Sequence, residues 1–452
     1  MIISKRLQTI ILLIGDLFLF YAALLLTLAI RYYLKIPIGE DERTFAQIWA
    51  IHKWPFFFVH IIWFFLFYIS NLYDVKKFPA PKFVMSKVLR TMVIAGMLAA
   101  LIFYLIPSNP SFRITPKTNL LIDIILVTLA VMVWRRYFWL WISKASKIKV
   151  LFFGESEEVE SLANYLKENT QLGYEPAVIL EKVDHNLAEL IRQYKIQLIV
   201  ASRNIMEDKN ASQKFYEALS LGISTVDFAT FYETTMEKIP VSSVNESWFL
   251  VNLVEINKQL FELAKRIFDV ILAVILGILT LLILPLIAFL IKVESRGPIF
   301  YRQKRTGKNG KIFEIIKFRS MVQNAEENGA QWANEKDKRM TKIGKILRKA
   351  RIDELPQLWN ILKGEMSFIG PRPERPEFVA ELQKQIPHYA MRHLIKPGLS
   401  GWAQIKFPYG ASVQDATEKL QYDLYYVKNR SAILDLAITL RTIATMVGHT
   451  GR

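Results

Sequence analysis

Four apolar stretches in the first third constrain this chain most, because each approaches the length needed to cross a hydrocarbon core of roughly 30 Å. They run from about Leu7 to Ile30, Pro55 to Leu72, Thr91 to Ile106 and Asn119 to Trp134. Tyr32, Tyr33, Trp54, Tyr73, Trp134, Tyr137, Trp139 and Trp141 gather at their ends, as interfacial anchors do. The first stretch is too long for a removable signal peptide and lacks a small-residue cleavage site. Basic residues precede the first span (Lys5, Arg6), fill the second loop (Lys76, Lys77, Lys82, Lys87, Arg90) and follow the fourth span (Arg135, Arg136, Lys144, Lys147, Lys149). In the outer loops Arg31, Lys35, Arg43 and Lys53 are diluted by Glu40, Asp41 and Glu42. This asymmetry predicts a four-span bundle, residues 1–142, with both ends in the cytoplasm. Asp16 and Asp123 fall inside spans, where a carboxylate must face the bundle interior.

Composition narrows the chemistry. The 452 residues are 52% hydrophobic, yet 22% are charged, which leaves room for water-exposed domains. The net charge of +17 favours anionic partners: membrane surfaces, phosphorylated substrates or nucleic acid. Absence of cysteine excludes disulfides, thiolate nucleophiles, iron–sulfur clusters and cysteine-bound zinc. None of the six histidines forms a metal-binding pair, so a metal here is expected to be Mg²⁺ held by carboxylates and phosphates.

Residues 143–250 read as a small Rossmann-like α/β domain on the cytoplasmic side. Val150–Gly154, Ile196–Ala201 and Gly222–Asp227 read as strands alternating with helices. The run after the first strand is Gly154-Glu-Ser-Glu-Glu158, without the glycines of a dinucleotide loop and with carboxylates that repel pyrophosphate. A regulatory or oligomerising role, such as a homodimer contact, is the expectation there.

The fifth apolar stretch, Ile267 to Val293, contains Pro285 and is basic on both flanks: Lys265 and Arg266 before, Lys292, Arg296, Arg302, Lys304 and Arg305 after. A straight crossing would break the charge asymmetry. Proline removes a helix hydrogen bond and bends the helix. The pattern therefore predicts a re-entrant hairpin over residues 265–293, breaking at Leu284-Pro285 and returning to the cytoplasmic side.

Residues 251–452 hold the residues that can do chemistry. Lys317 and Arg319 are two apart in Ile315–Met321 and share a face if this is a strand. Arg348 and Arg351 are three apart on a helical pattern and so share a side. Arg351-Ile-Asp-Glu-Leu-Pro-Gln357 follows, and Gly370-Pro-Arg-Pro373 sets Arg372 between two prolines. Asp353 and Glu354 are expected at a helix start among arginines that would keep Asp353 ionised well below neutrality. An Asp in this setting can bind Mg²⁺ or attack phosphorus.

Six segments carry a resemblance to a known family. They are Lys265–Asp269, Gly297–Gly307, Lys317–Met321, Arg351–Asn360, Lys363–Pro373 and Lys396–Gln404. In order and without large gaps, they resemble the bacterial sugar transferases, the monotopic polyprenyl-phosphate phosphoglycosyl transferases. The first 250 residues resemble the long subclass that initiates exopolysaccharide, capsule or O-antigen units. The resemblance implies a multi-pass protein of the inner membrane with a mostly α catalytic domain. It implies transfer of a sugar 1-phosphate from a UDP-sugar to undecaprenyl phosphate, releasing UMP, in a ping-pong cycle. Asp353 would be the nucleophile, and Glu354 its acid/base and metal-site partner with Mg²⁺. Arg348 and Arg372 would bind phosphate, with Lys317, Arg319 and Arg351 as helpers. Members of the family often carry an arginine soon after Trp-Ala-Gln; here the run is Ile405-Lys-Phe-Pro-Tyr409, and Lys406 is the available cation near Pro408.

Two other classes compete. A membrane scaffold or sensor of the same fold could have lost turnover. A nucleic-acid binder is disfavoured, since the basic residues lie beside membrane segments and carboxylates rather than among exposed aromatics.

Overall fold

The computed structural model describes residues 5–33, 44–73, 81–105, 116–143, 147–154, 156–183, 186–253, 258–322, 339–407, 410 and 412–447. Pro408 lies outside them, as do eight of the loop charges behind the expected orientation (Lys35, Glu40, Asp41, Glu42, Arg43, Lys76, Lys77 and Lys144). The chain forms two compact units, residues 1–201 with 205–225, and 202–204 with 226–452.

The first unit opens with four long helices, α1 (Lys5–Tyr33), α2 (Phe45–Ile69), α3 (Pro81–Leu105) and α4 (Pro116–Ser143). Among the described helices, four are long and apolar enough to cross a membrane: α1, α2, most of α3, and Gln259–Glu294 in the second unit. The fourth expected span is α4, whose apolar run is diluted by Asp123, Arg135 and Arg136. Asp16 and Asp123 face the bundle interior, both fully buried. Asp16 accepts from Arg135 at 2.5 Å, and Asp123 lies 3.2 Å from His60. Arg135, expected as a loop charge, is thus a buried helix residue that also donates to the Leu72 carbonyl.

Then follow β1 (Ile148–Phe153), α5 (Glu157–Glu168), β2 (Tyr174–Leu180), α6 (Leu187–Tyr194), β3 (Leu198–Ala201), α7 (Arg203–Glu207), α8 (Lys209–Ser220) and β4 (Ser224–Asp227). The strands lie in the order β2-β1-β3-β4, with β1 parallel to both neighbours. Gly154 ends β1 at φ +136°, a conformation that favours glycine, and Ser156 caps α5.

The second unit contains α9 (Phe228–Met236), α10 (Glu246–Asn252), α11 (Gln259–Glu294), β5 (Phe300–Thr306), β6 (Ile312–Phe318) and α12 (Lys342–Lys349). It continues through a 3₁₀ turn (Ile352–Gln357), α13 (Leu358–Lys363), β7 (Ser367–Ile369), α14 (Pro376–Gln385), a second 3₁₀ turn (Tyr389–Leu394), β8 (Gly398–Ser400), α15 (Trp402–Lys406), α16 (Val413–Asn429) and α17 (Ala432–Val447). Residues 228–249, assigned from sequence to the α/β block, are built into this unit. Ile239, Trp248 and Phe249 share a core with Val379 and Leu382 of α14 and Leu420 and Leu424 of α16.

Helix α11 is helical from Gln259 to Glu294, with Pro285 inside it, so the helix is not interrupted at the expected Leu284-Pro285 break. Its first half packs through Ala273 against Ile315, Leu358 and Ile361, and its second half packs through Ile287 and Ile291 against Phe318 and Leu347. Near its start Arg266 donates to the Ile361 and Leu362 carbonyls, capping α13, and Asp269 accepts from the Phe368 amide at 3.2 Å. At its end Glu294 accepts from the Lys342 and Ile343 amides, the first turn of α12.

Candidate active site

The antiparallel β5–β6 ribbon, the end of α12 and the 3₁₀ turn before α13 bring the carboxylates and cations together. Asn360, 1% exposed, fastens the turn to the ribbon: it accepts from the Ile316 amide at 3.2 Å and donates to the Glu314 carbonyl at 2.6 Å. This places Lys317 of β6 beside the Asp353-Glu354 pair.

Glu354 is the hub. Its Oε1 accepts from Lys317 Nζ at 2.9 Å and from Arg372 Nη2 at 3.4 Å, while Oε2 lies 3.6 Å from Arg351 Nη1. Burial pushes this carboxyl up, but Lys317, Arg372 and Arg351 more than reverse that and hold it well below the carboxylate range. Arg351 occupies the left-handed region at φ +58°, a strained backbone for an arginine, and it turns the chain out of α12 into the carboxylate turn.

Asp353 differs from its neighbour. It is buried, and its Oδ1 has no hydrogen-bond partner. Burial first, and the Glu354 charge second, push its carboxyl up; Lys317, Arg348 and Arg351 only partly oppose them. The expected depression therefore falls on Glu354 rather than Asp353, because Glu354 takes the direct ion pairs. Burial also pushes the Lys317 ammonium down, though Glu354 opposes it.

The other expected residues divide. Arg348 does not share a side with Arg351, since α12 ends between them. Its Nε donates to Ser320 Oγ at 2.9 Å, and its charge acts on Asp353. Arg319 does not join the cluster. β6 ends at Phe318, and the Arg319 guanidinium donates to Ser295 O at 2.7 Å, Ser295 Oγ at 2.8 Å and Arg296 O at 3.1 Å. It holds the C-terminal end of α11. Arg319→Ala should therefore cost about 1–3 kcal/mol of stability through the stranded carbonyls, with an unchanged KM for any phosphorylated substrate. Thermal melts and steady-state kinetics together check this, and a KM effect without a stability loss would contradict it. Lys406 is likewise engaged elsewhere, 2.7 Å from Glu237 Oε2 and 4.6 Å from the Trp402 ring centre.

The open Asp353 oxygen suits Mg²⁺, which takes one or two carboxylates together with substrate phosphates. Glu354 fits less well, since both its oxygens face cations. Among the described residues no group of three acidic, histidine or cysteine side chains forms a ready metal site.

Sequence reasoning missed Arg305, Arg392 and Asp423, which lie behind Arg372. Arg392 and Asp423 are charged residues among apolar and aromatic ones, and Arg305 is one of a basic run; neither pattern distinguishes them from a solvated face.

Residues 260–449 match the family model described as bacterial sugar transferase. Over 188 residues the chain is 47% identical to a UDP-N-acetylgalactosamine-undecaprenyl-phosphate N-acetylgalactosaminephosphotransferase of Aeromonas hydrophila, covering 42% of this chain and 44% of that protein. It is 41% identical over 194 residues to a UDP-glucose:undecaprenyl-phosphate glucose-1-phosphate transferase of Xanthomonas campestris pv. campestris, covering 42% and 40%. A protein of the latter description from Caulobacter vibrioides is 39% identical over 188 residues, 41% of this chain and 70% of that one. The chain belongs to the bacterial sugar transferase family. The match spans less than half the length of the Aeromonas and Xanthomonas relatives.

Proposed function

We propose that this protein transfers a sugar 1-phosphate from a UDP-sugar to undecaprenyl phosphate at the cytoplasmic face of the inner membrane, the first membrane step of exopolysaccharide, capsule or O-antigen assembly. The observation that carries this reading is the pairing of a buried carboxylate oxygen without a partner, Asp353 Oδ1, with a cation cluster gathered on Glu354. The relatives' names supply the substrate class, UDP-sugars and undecaprenyl phosphate.

In the first half-reaction an Asp353 oxygen attacks the phosphorus that bears the sugar. A new P–O bond forms to the carboxylate, the bond to the bridging diphosphate oxygen breaks, and UMP leaves with that electron pair. In the second, a phosphate oxygen of the polyprenyl phosphate attacks the same phosphorus and returns the carboxylate. Burial and a raised pKa, which makes the carboxylate more basic, make Asp353 a better nucleophile than an ordinary aspartate. Arg348, Arg351 and Arg372 supply positive charge for the diphosphate, and Glu354 aligns Lys317 and Arg372 rather than acting as a base. Mg²⁺ on Asp353 and the diphosphate would neutralise charge on the leaving group.

The helix contacts favour a re-entrant α11. Arg266 and Glu294 lie 28 positions apart, about 42 Å in a straight helix. Yet the groups they bind, α13 and α12, both pack on one two-stranded ribbon. A bend at Pro285 would bring both ends to one side, in keeping with the basic flanks. The parallel sheet of the first unit is read as Rossmann-like.

UMP release from a panel of UDP-sugars, with polyprenyl phosphate, Mg²⁺ and lipid, is the direct test. Turnover with one or a few sugars is expected. A folded, lipid-embedded protein that releases no UMP from any of them would favour the inactive scaffold or sensor.

A further inference from the structure

Pro371 and Pro373 have no amide hydrogen, so the backbone on either side of Arg372 depends more heavily on its carbonyls. All four carbonyls from 371 to 374 are held. Pro371 O accepts from the Gly398 amide at 2.9 Å, and Glu374 O from the Thr306 amide at 2.9 Å. Between them, Arg372 O accepts from Arg392 Nη2 at 3.0 Å, and Pro373 O from Arg305 Nη1 at 3.1 Å. Two arginine side chains therefore grip the carbonyls of Arg372 and the residue after it.

Each grip is backed. The Arg392 guanidinium is 5% exposed, donates to Tyr389 Oη at 2.6 Å and lies 2.7 Å from Asp423 Oδ2. Asp423, on α16, is 1% exposed. Arg305 lies 3.6 Å from Glu374 and donates to Gln303 at 2.5 Å. In contrast, the Arg372 side chain is 40% exposed and reaches Glu354 only at 3.4 Å. Such an arginine, left to itself, would sample many rotamers and lose entropy on gripping a phosphate.

We propose that Arg392 and Arg305 are positioning residues for Arg372, fixing its backbone so that the guanidinium is pre-aimed at the substrate diphosphate. This rests on the transfer reaction proposed above. Neither residue touches the diphosphate. The planar fork of Arg392 donates to the carbonyl and the tyrosine together while its charge sits 2.7 Å from Asp423 Oδ2, a geometry that a lysine ammonium cannot reproduce.

The test is a double-mutant cycle between Arg392→Lys and Arg372→Ala, read in kcat/KM for UMP release and, independently, in UMP affinity by calorimetry. Arg392→Lys alone should lower kcat/KM about ten- to a hundredfold, the scale of a misplaced substrate-binding group, with the fold retained at a lowered melting temperature because the Arg372 carbonyl loses its donor. In the Arg372→Ala background the same change should cost less than about twofold, because its target is gone. Arg305→Lys, run through the same cycle, should behave alike and serves if Arg392→Lys does not fold. Equal losses with and without Arg372, in both readouts, would overturn the positioning role. A wild-type protein that binds UMP without turning over would overturn the transfer reaction instead, and the affinity cycle would still decide the positioning. Absence of both would remove both readings.

Discussion

Asp353→Asn should abolish UMP release and, at neutral pH, make the protein more stable. The activity loss is expected to be about 10⁴-fold or more, the scale on which removing a covalent nucleophile disables an enzyme. The gain in stability follows from the raised pKa of the Asp353 carboxyl. Ionised Asp353 is less favourable in the folded chain than in the unfolded one, because it is buried beside Glu354. Its charge therefore costs stability at any pH above its folded pKa, and costs nothing below its unfolded pKa. Asparagine removes that cost while keeping the shape. The melting temperature of the variant should exceed wild type at pH 7.5, and the gap should close as the buffer is taken below the ordinary aspartate range. A rate only about tenfold below wild type would demote Asp353 from nucleophile to a binding or positioning role, since positioned groups commonly contribute 10²- to 10⁴-fold. Such trade-offs between stability and activity are expected where a site keeps an uncompensated group.

Glu354→Gln should do the opposite to stability while also impairing turnover. Burial raises this carboxyl, but Lys317, Arg372 and Arg351 overcome it, so the folded value is depressed. A depressed carboxyl stabilises the fold above its unfolded pKa, and that contribution is lost only as pH falls through the folded value. Wild type thus holds the full contribution at neutrality. Glutamine leaves Lys317 without its partner and two arginines without a common anion. Breaking a buried pair costs about 3–5 kcal/mol, and the lower end applies because Arg351 and Arg372 are 35% and 40% exposed at their side chains. Misaligned cations should lower kcat/KM by about a hundredfold. Chemical denaturation and UMP release measured on the same preparation check both parts. An unchanged midpoint would mean that the three cations are held by something other than Glu354.

The reach of the sequence differed between elements for physical reasons. The long apolar helices declare themselves, because membrane length leaves few alternatives. β1, β3 and β4 were visible as apolar runs, but β2 was not. It carries Pro176, which an edge strand tolerates, and the β1 register shifts beside it between Val150 and Leu151. In the site, Asp353, Glu354, Lys317, Arg351 and Arg372, grouped by the sequence pattern, lie together in the fold, since the cations gather on the carboxylate pair. Arg319 was misplaced by one detail: the strand ends a residue before it, and its side chain turns to the end of α11. Spacing of two along a chain says nothing about where a strand stops. The division of labour between Asp353 and Glu354 was also hidden, because adjacent carboxylates look alike until one is seen to collect the ion pairs.

Helix α11 is a wall of the globular domain as well as a membrane element. Ala273, Ile287 and Ile291 complete clusters whose other members are Ile315, Phe318, Leu347, Leu358 and Ile361. Removing residues up to 294 to obtain a detergent-free fragment would strip one side from both clusters and from the strand that carries Lys317. Whatever displaces α11 therefore also displaces Ile315 and Phe318, the near neighbours of the lysine that pairs with Glu354.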